Sequence, residues 1–159
     1  MDMRTLLTPA DRHATLALQM AKELLEMIDD AVVLVDRLGT FCDVNAAFER
    51  LTGYDRLEVI GRPSNLLASG RHDRQFYRSM WRVLQRGARW EGSVCDKLRD
   101  GSHQWFRLRI TPLWDEGGNK THFLGVLSPC GSVQAGTSTN DRVGCERQAR
   151  GGVMIAAAA

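Results

Sequence analysis

Cysteine is sparse, and the four present (Cys42, Cys95, Cys130 and Cys145) make no C-x-x-C pair. No His-x-x-x-His run accompanies them, so the spacing argues against a zinc site. Free thiols in a reducing cytoplasm are the simplest expectation. Net charge is nearly absent too. Lys+Arg number 21 against 19 Asp+Glu, which leaves +2 and no long basic block. That balance argues against a nucleic-acid partner. No apolar run approaches the ~20 residues of a membrane span. The first apolar stretch is broken by Asp11, Arg12, Lys22 and Glu23, so no secretory segment is expected. No Ser-His-Asp set, Gly-rich phosphate loop or paired-carboxylate motif is visible, and no enzyme is expected.

The chain has 159 residues, of which 43% are hydrophobic and 25% charged. These values suit one soluble globular domain of about 100–150 residues. Thr8-Pro9-Ala10-Asp11 reads as a helix start, with Thr8 as cap and Pro9 in the first helical position. The helix should run to about Met27. Leu16, Met20, Leu24, Met27 and Ile28 form a stripe that packs either on its own domain or on a partner helix.

Ala31 to Asp36 and Thr40 to Val44 read as strands around the turn Arg37-Leu38-Gly39. Asn45–Leu51, Asp55–Gly61 and Pro63–Leu67 read as short helical pieces, with Gly53 and Gly61 in positions that want a positive φ. Asp73 to Arg86 is the clearest internal helix, with Asp73 as N-cap. The basic stretch from Arg71 to Arg89, interleaved with Phe76, Tyr77, Met80 and Trp81, fits its solvated face. Three strands follow: one around Trp90, Val94 and Leu98, one around Phe106, Leu108 and Ile110, and one from His122 to Leu127. Asp100-Gly101 and Gly117-Gly118-Asn119 supply their turns. Residues 131–159 contain no aromatic residue and read as a disordered tail. The expected organisation is an N-terminal amphipathic helix (1–30), an α+β domain with one five-stranded antiparallel sheet (31–130), and the tail.

From about Ala31 to Ser128 the sequence resembles a PAS domain. The resemblance rests on seven motifs in order. They are Asp43-Val44-Asn45-Ala46-Ala47-Phe48, Leu51-Thr52-Gly53-Tyr54, Val59-Ile60-Gly61-Arg62, Leu67-Ala68-Ser69-Gly70-Arg71-His72-Asp73, Trp90-Glu91-Gly92, Arg99-Asp100-Gly101 and Thr121-His122-Phe123-Leu124-Gly125-Val126. It implies the PAS fold, with short helices on one face of the sheet, and a bacterial-type sensory-box module in signal transduction. Such a module acts as a homodimer through the N-terminal helix and the outer sheet face, or through a signalling-protein partner. Asn45 can cap a helix or tie adjoining backbone. Trp105, Arg107 and Arg109 should form an exposed outer stripe, while Trp81 and Trp114 read as packing or surface anchors.

The resemblance also supplies ligand candidates. Ser64 stands where light-oxygen-voltage domains carry their adduct-forming cysteine, and Asp96, Phe106 and Leu127 replace the polar flavin contacts. That argues against an FMN-adduct photoreceptor. Non-covalent FAD would use Trp90 and Asp96. Heme would use His72, since imidazole is the commonest axial ligand type. The plainer alternatives are that Asp96 pairs with an arginine or escapes to the sheet edge, that His72 and Asp73 cap a helix, and that Trp90, Phe106 and Leu127 fill the core of a ligand-free interaction domain. Pro129 stands where an acidic residue normally opens a helical connector, and the tail lacks heptads. The expectation is a stand-alone module acting through its surface, or a truncated or frame-altered product.

Overall fold

The computed structural model describes residues 9–130. The expected cap Thr8, and the tail from 131 with Cys145, lie outside the described residues. In chain order the elements are α1 (Pro9–Glu26), β1 (Ala31–Asp36), β2 (Phe41–Val44), α2 (Ala46–Thr52), α3 (Arg56–Val59), a 3-10 turn (Ser64–Leu67), α4 (Arg74–Gln85), β3 (Trp90–Lys97), β4 (His103–Trp114) and β5 (Lys120–Pro129). The strands form one antiparallel sheet in the order β2-β1-β5-β4-β3. This is the α+β architecture that the alternation and turn residues imply.

Side-chain alternation sorts each strand between two faces. Ala31, Val33 and Val35 of β1, Val94 of β3, Phe106 of β4, and Phe123 and Leu127 of β5 point to the inner face. Phe48 of α2, Val59 of α3, Leu67, and Met80 and Leu84 of α4 close over them. Phe41 and Phe48 meet at 5.8 Å between ring centres. Each of the three hairpins is closed by an aspartate whose carboxylate accepts backbone N–H groups. Asp36 takes Leu38 and Thr40, Asp100 takes Ser102, and Asp115 takes Asn119. These backbone bonds, preceded at Asp100 by the Ser102 hydroxyl, hold all three carboxyls below their ordinary values.

Both edges of the sheet are covered by one run of chain. At the β2 edge, Phe41 N–H donates to Arg62 O at 2.9 Å and Gly61 N–H to Phe41 O at 2.8 Å. Gly61 turns there with φ 80°, a conformation that side chains resist. The chain then crosses the inner side and reaches the β3 edge, where Ala68 bridges to Asp96.

Strand β5 runs past the expected Leu127 as far as Pro129, which sits opposite Phe106. Proline is tolerated because β1 ends its pairing at Ala31 and Leu127, so the missing N–H faces no neighbouring strand. Cys130 N–H then donates to Trp105 O at 2.9 Å and prolongs the β4 ladder.

Asn45 joins three segments. Its side-chain oxygen accepts from Val32 N–H at 2.9 Å and from Phe48 N–H at 3.0 Å. Its amide donates to Leu25 O at 2.9 Å and Asp30 O at 3.1 Å. Asn45 therefore does both jobs its type allows, capping α2 and tying the end of α1 to β1. Glu26 adds a carboxylate that accepts from Ala46 N–H at 2.8 Å. Beyond this joint α1 stands apart: Leu16, Met20, Leu24 and Met27 are each more than half exposed. The stripe does not pack on its own domain.

We expect Asn45→Ala to cost about 2–4 kcal/mol, because it leaves several buried backbone groups unmet. Urea denaturation checks this. Asn45→Asp, which keeps the cap but not the two donors, should fall between wild type and alanine.

Candidate functional site

The inner end of β3 gathers most of the residues singled out from the sequence. Trp90, Gly92, Val94 and Asp96 alternate onto one face of the strand, and Phe106 lies directly opposite Val94. The Trp90 indole lies flat along its own strand over Gly92. A Cβ at Gly92 would sit 2.7 Å from the ring, so glycine here makes room for tryptophan. Phe76 from α4 stands edge-on to Trp90 at 5.8 Å. Phe106 is 0% exposed and Leu127 3%. Phe106 and Leu127 belong to the packed core, and Trp90 packs against it half-buried.

Asp96 breaks the apolar pattern. It is 8% exposed and lies opposite Gln104. The expected arginine partner is corrected, since Asp96 joins none of the ion pairs among the described residues; it does lie on the edge strand β3, yet it stays buried there. The reason is geometric. Arg107 alternates to the opposite face of the sheet, where it pairs with Glu91, and Arg99 pairs with Glu58. Burial pushes the Asp96 carboxyl up to about 7. Tyr77 on α4 is within electrostatic reach, and burial followed by the Asp96 charge raises its phenol.

His72 is placed at the β3 edge and not in the core. Its Nε2 accepts the Cys95 N–H at 2.8 Å. An acceptor nitrogen requires the neutral ring with its proton on Nδ1. The Ser69 hydroxyl donates to the carbonyl of the same Cys95. The paired helix-cap reading is therefore corrected. Asp73 alone caps α4, accepting from Phe76 N–H at 2.8 Å, while His72 reaches back to the strand. The ring stacks on Phe76 at 4.1 Å and meets the edge of Trp105 at 5.7 Å. Burial lowers the His72 pKa, with the Asp73 charge acting against it. Trp105 is thereby half-buried against the edge segment, and is not part of an exposed outer stripe. Ser69, Tyr77 and Gly92 were not read as site residues, although Ser69 and His72 stand in one motif.

A planar cofactor fits this lining poorly. Trp90 and Phe76 occupy the space beside Gly92, and Phe106 presents no hydrogen-bonding atom where a flavin contact is expected from the resemblance. Asp96 is the buried carboxyl among the described residues, and the Nε2 lone pair of His72 that a heme iron would need is engaged by Cys95. On the outer face, Val32 pairs with Val126 and Leu34 with Leu124. Beside them run the ion pairs Glu91–Arg107 and Asp30–Arg109. Among the described residues no group of three or more His, Cys, Asp or Glu is arranged to hold a metal ion.

One antiparallel sheet, helices crossing one face and a flanking N-terminal helix define the class of domain. Within that class the chain belongs to the PAS-fold family, whose model matches residues 19–130. A nitrogen fixation regulatory protein of Klebsiella pneumoniae is 30% identical over 103 residues, covering 65% of this chain and 21% of its own length. The aerotaxis receptor of Escherichia coli is 27% identical over 93 residues, 57% of this chain and 18% of that protein. The chain thus spans about a fifth of the length of these relatives. A solved PAS domain from Colwellia psychrerythraea aligns with a TM-score of 0.63 at 27% identity, covering 71% of this chain and 96% of that one. An RNA-binding light-oxygen-voltage receptor shares the fold, with a TM-score of 0.71 at 20% identity over 94% of this chain and 39% of that one.

The raised Asp96 carboxyl fixes a pH trend. From about pH 4 to about pH 7 the unfolded chain has lost this proton while the folded chain holds it. The folded state binds more protons there, so stability falls as pH rises. Asp96→Asn should gain roughly 2–4 kcal/mol over wild type at pH 8 and close to nothing at pH 4. Thermal melts of both proteins across that range check it.

Proposed function

We propose that the chain is a sensory and regulatory module in signal transduction that works by contact and not by catalysis. Its contacts are made by α1 and the outer sheet face, to a second copy of the chain or to a signalling partner. The observation that carries this is α1 itself. The helix is anchored at its C-terminal end by Asn45 and Glu26, yet its apolar stripe is left in solvent. An amphipathic helix so placed gains by burying that face against another helix. The names of the relatives, a nitrogen fixation regulatory protein and an aerotaxis receptor, support a signalling role. No described helix is long and apolar enough to cross a membrane. We assign it no nucleic-acid partner, since the charge is close to balanced.

Light scattering tests the interface. Wild type should have the mass of two chains and Leu24→Glu the mass of one, with an unchanged melting profile for the sheet. Equal masses for the two proteins would reject α1 as the dimer surface.

A second reading, a flavin-bound redox sensor, draws on Asp96 and Trp90 sharing the inner face, and the heme reading draws on His72. Freshly purified protein should be colourless, as a filled inner face implies. A visible flavin band would make Trp90 and Asp96 ligand contacts, and a sharp Soret band would point to His72.

A further inference from the structure

The contacts at the β3 edge form one device. Ala68 bridges to Asp96, and the two backbone groups of Cys95 are held by side chains of the same segment, Ser69 and His72. The Ser69 oxygen also accepts the Arg71 N–H at 3.3 Å, which keeps the segment folded on itself. Residues 68–72 thus lie beside Asp96 on the open side of an edge strand, joined to it by one isolated bridge and two side-chain bonds. We propose that residues 68–72 are a proton-gated strap, laid along the β3 edge while Asp96 holds a proton and lifted from it when Asp96 ionises.

The physical step is simple. A protonated carboxyl is tolerated in an apolar pocket, but a carboxylate without a cationic partner must reach water. Ala68 pairs with Asp96 on the open side of β3, and lifting it breaks the two side-chain bonds to Cys95. The groups facing Asp96 do not oppose this. Tyr77 on α4 is neutral below its raised phenol pKa and Cys95 is its strand neighbour. Gln104 on β4 is uncharged, and Leu66 and Leu67 of the 3-10 turn are apolar. Lys97, next along β3, is exposed. His72 is neutral where it accepts from Cys95, and Asp73 beyond it caps α4. Protonation of His72 would also release Cys95, but at a pH below its ordinary value and so on the acid side.

Amide hydrogen exchange at Cys95, read by NMR on the full chain and corrected for the intrinsic rate, tests the strap. Between about pH 6 and about pH 8 the opening population should rise at least about tenfold in wild type and stay flat in Asp96→Asn. A flat wild type, or an equal rise in the variant, overturns the proposal. His72→Gln keeps an acceptor that does not titrate, so the rise should survive. Its disappearance would make the histidine the gate and overturn the assignment to Asp96. If Asp96→Asn folds badly, the carboxyl carbon shift of Asp96 in wild type replaces it. Its midpoint should coincide with the opening, and a midpoint in the ordinary aspartate range overturns the proposal. The outcome does not depend on whether the chain dimerises.

Discussion

The side chain of Asn45 is the constraint on which the arrangement of flank and core depends. Four backbone groups from the end of α1, the start of β1 and the first turn of α2 converge on one amide that is 4% exposed. Only an amide can do this, since two groups need an acceptor and two need a donor on the same short stem. Asp30 extends the joint, taking the Ser128 hydroxyl at 2.7 Å and facing Arg109 at 3.8 Å. The direction of the N-terminal helix is therefore tied both to the first helix of the core and to the end of the last strand.

Much of this was legible in the sequence because the signals are local. Gly53 and Gly61 mark the ends of α2 and α3, Asp73 the start of α4, and the valines of β1 the first strand. Element type follows from such short-range rules. What was not legible depends on contacts between distant residues. The partner of His72 is the backbone of a strand 23 positions away, and no periodicity reports that. The isolation of Asp96 is likewise invisible until the commitments of Arg99 and Arg107 are known. The extension of β5 to Pro129 was missed because the rule against proline in strands assumes a neighbour on both sides.

The inner face shows how one position can serve packing and chemistry together. Gly92 gives Trp90 a place to lie, and Trp90 with Phe76 and Phe106 excludes water from the end of β3. Further along the same face, burial raises the proton affinity of Asp96. Conversely, the outer face couples apolar pairs such as Val32–Val126 to ion pairs beside them. An interface built there would be apolar at its centre and charged at its rim.

The run from Gly61 to His72 touches the first and the last strand in the order of the sheet. It ties the N-terminal hairpin to the C-terminal three-strand meander, and neither half can shed its outer edge without disturbing the other. The pairing at its β3 end can form only once the C-terminal meander is in place. Until then that edge strand is bare, and bare edges invite pairing with other chains. A protease cut between Arg62 and Ala68 would leave every strand intact but let the two edge covers move independently of each other.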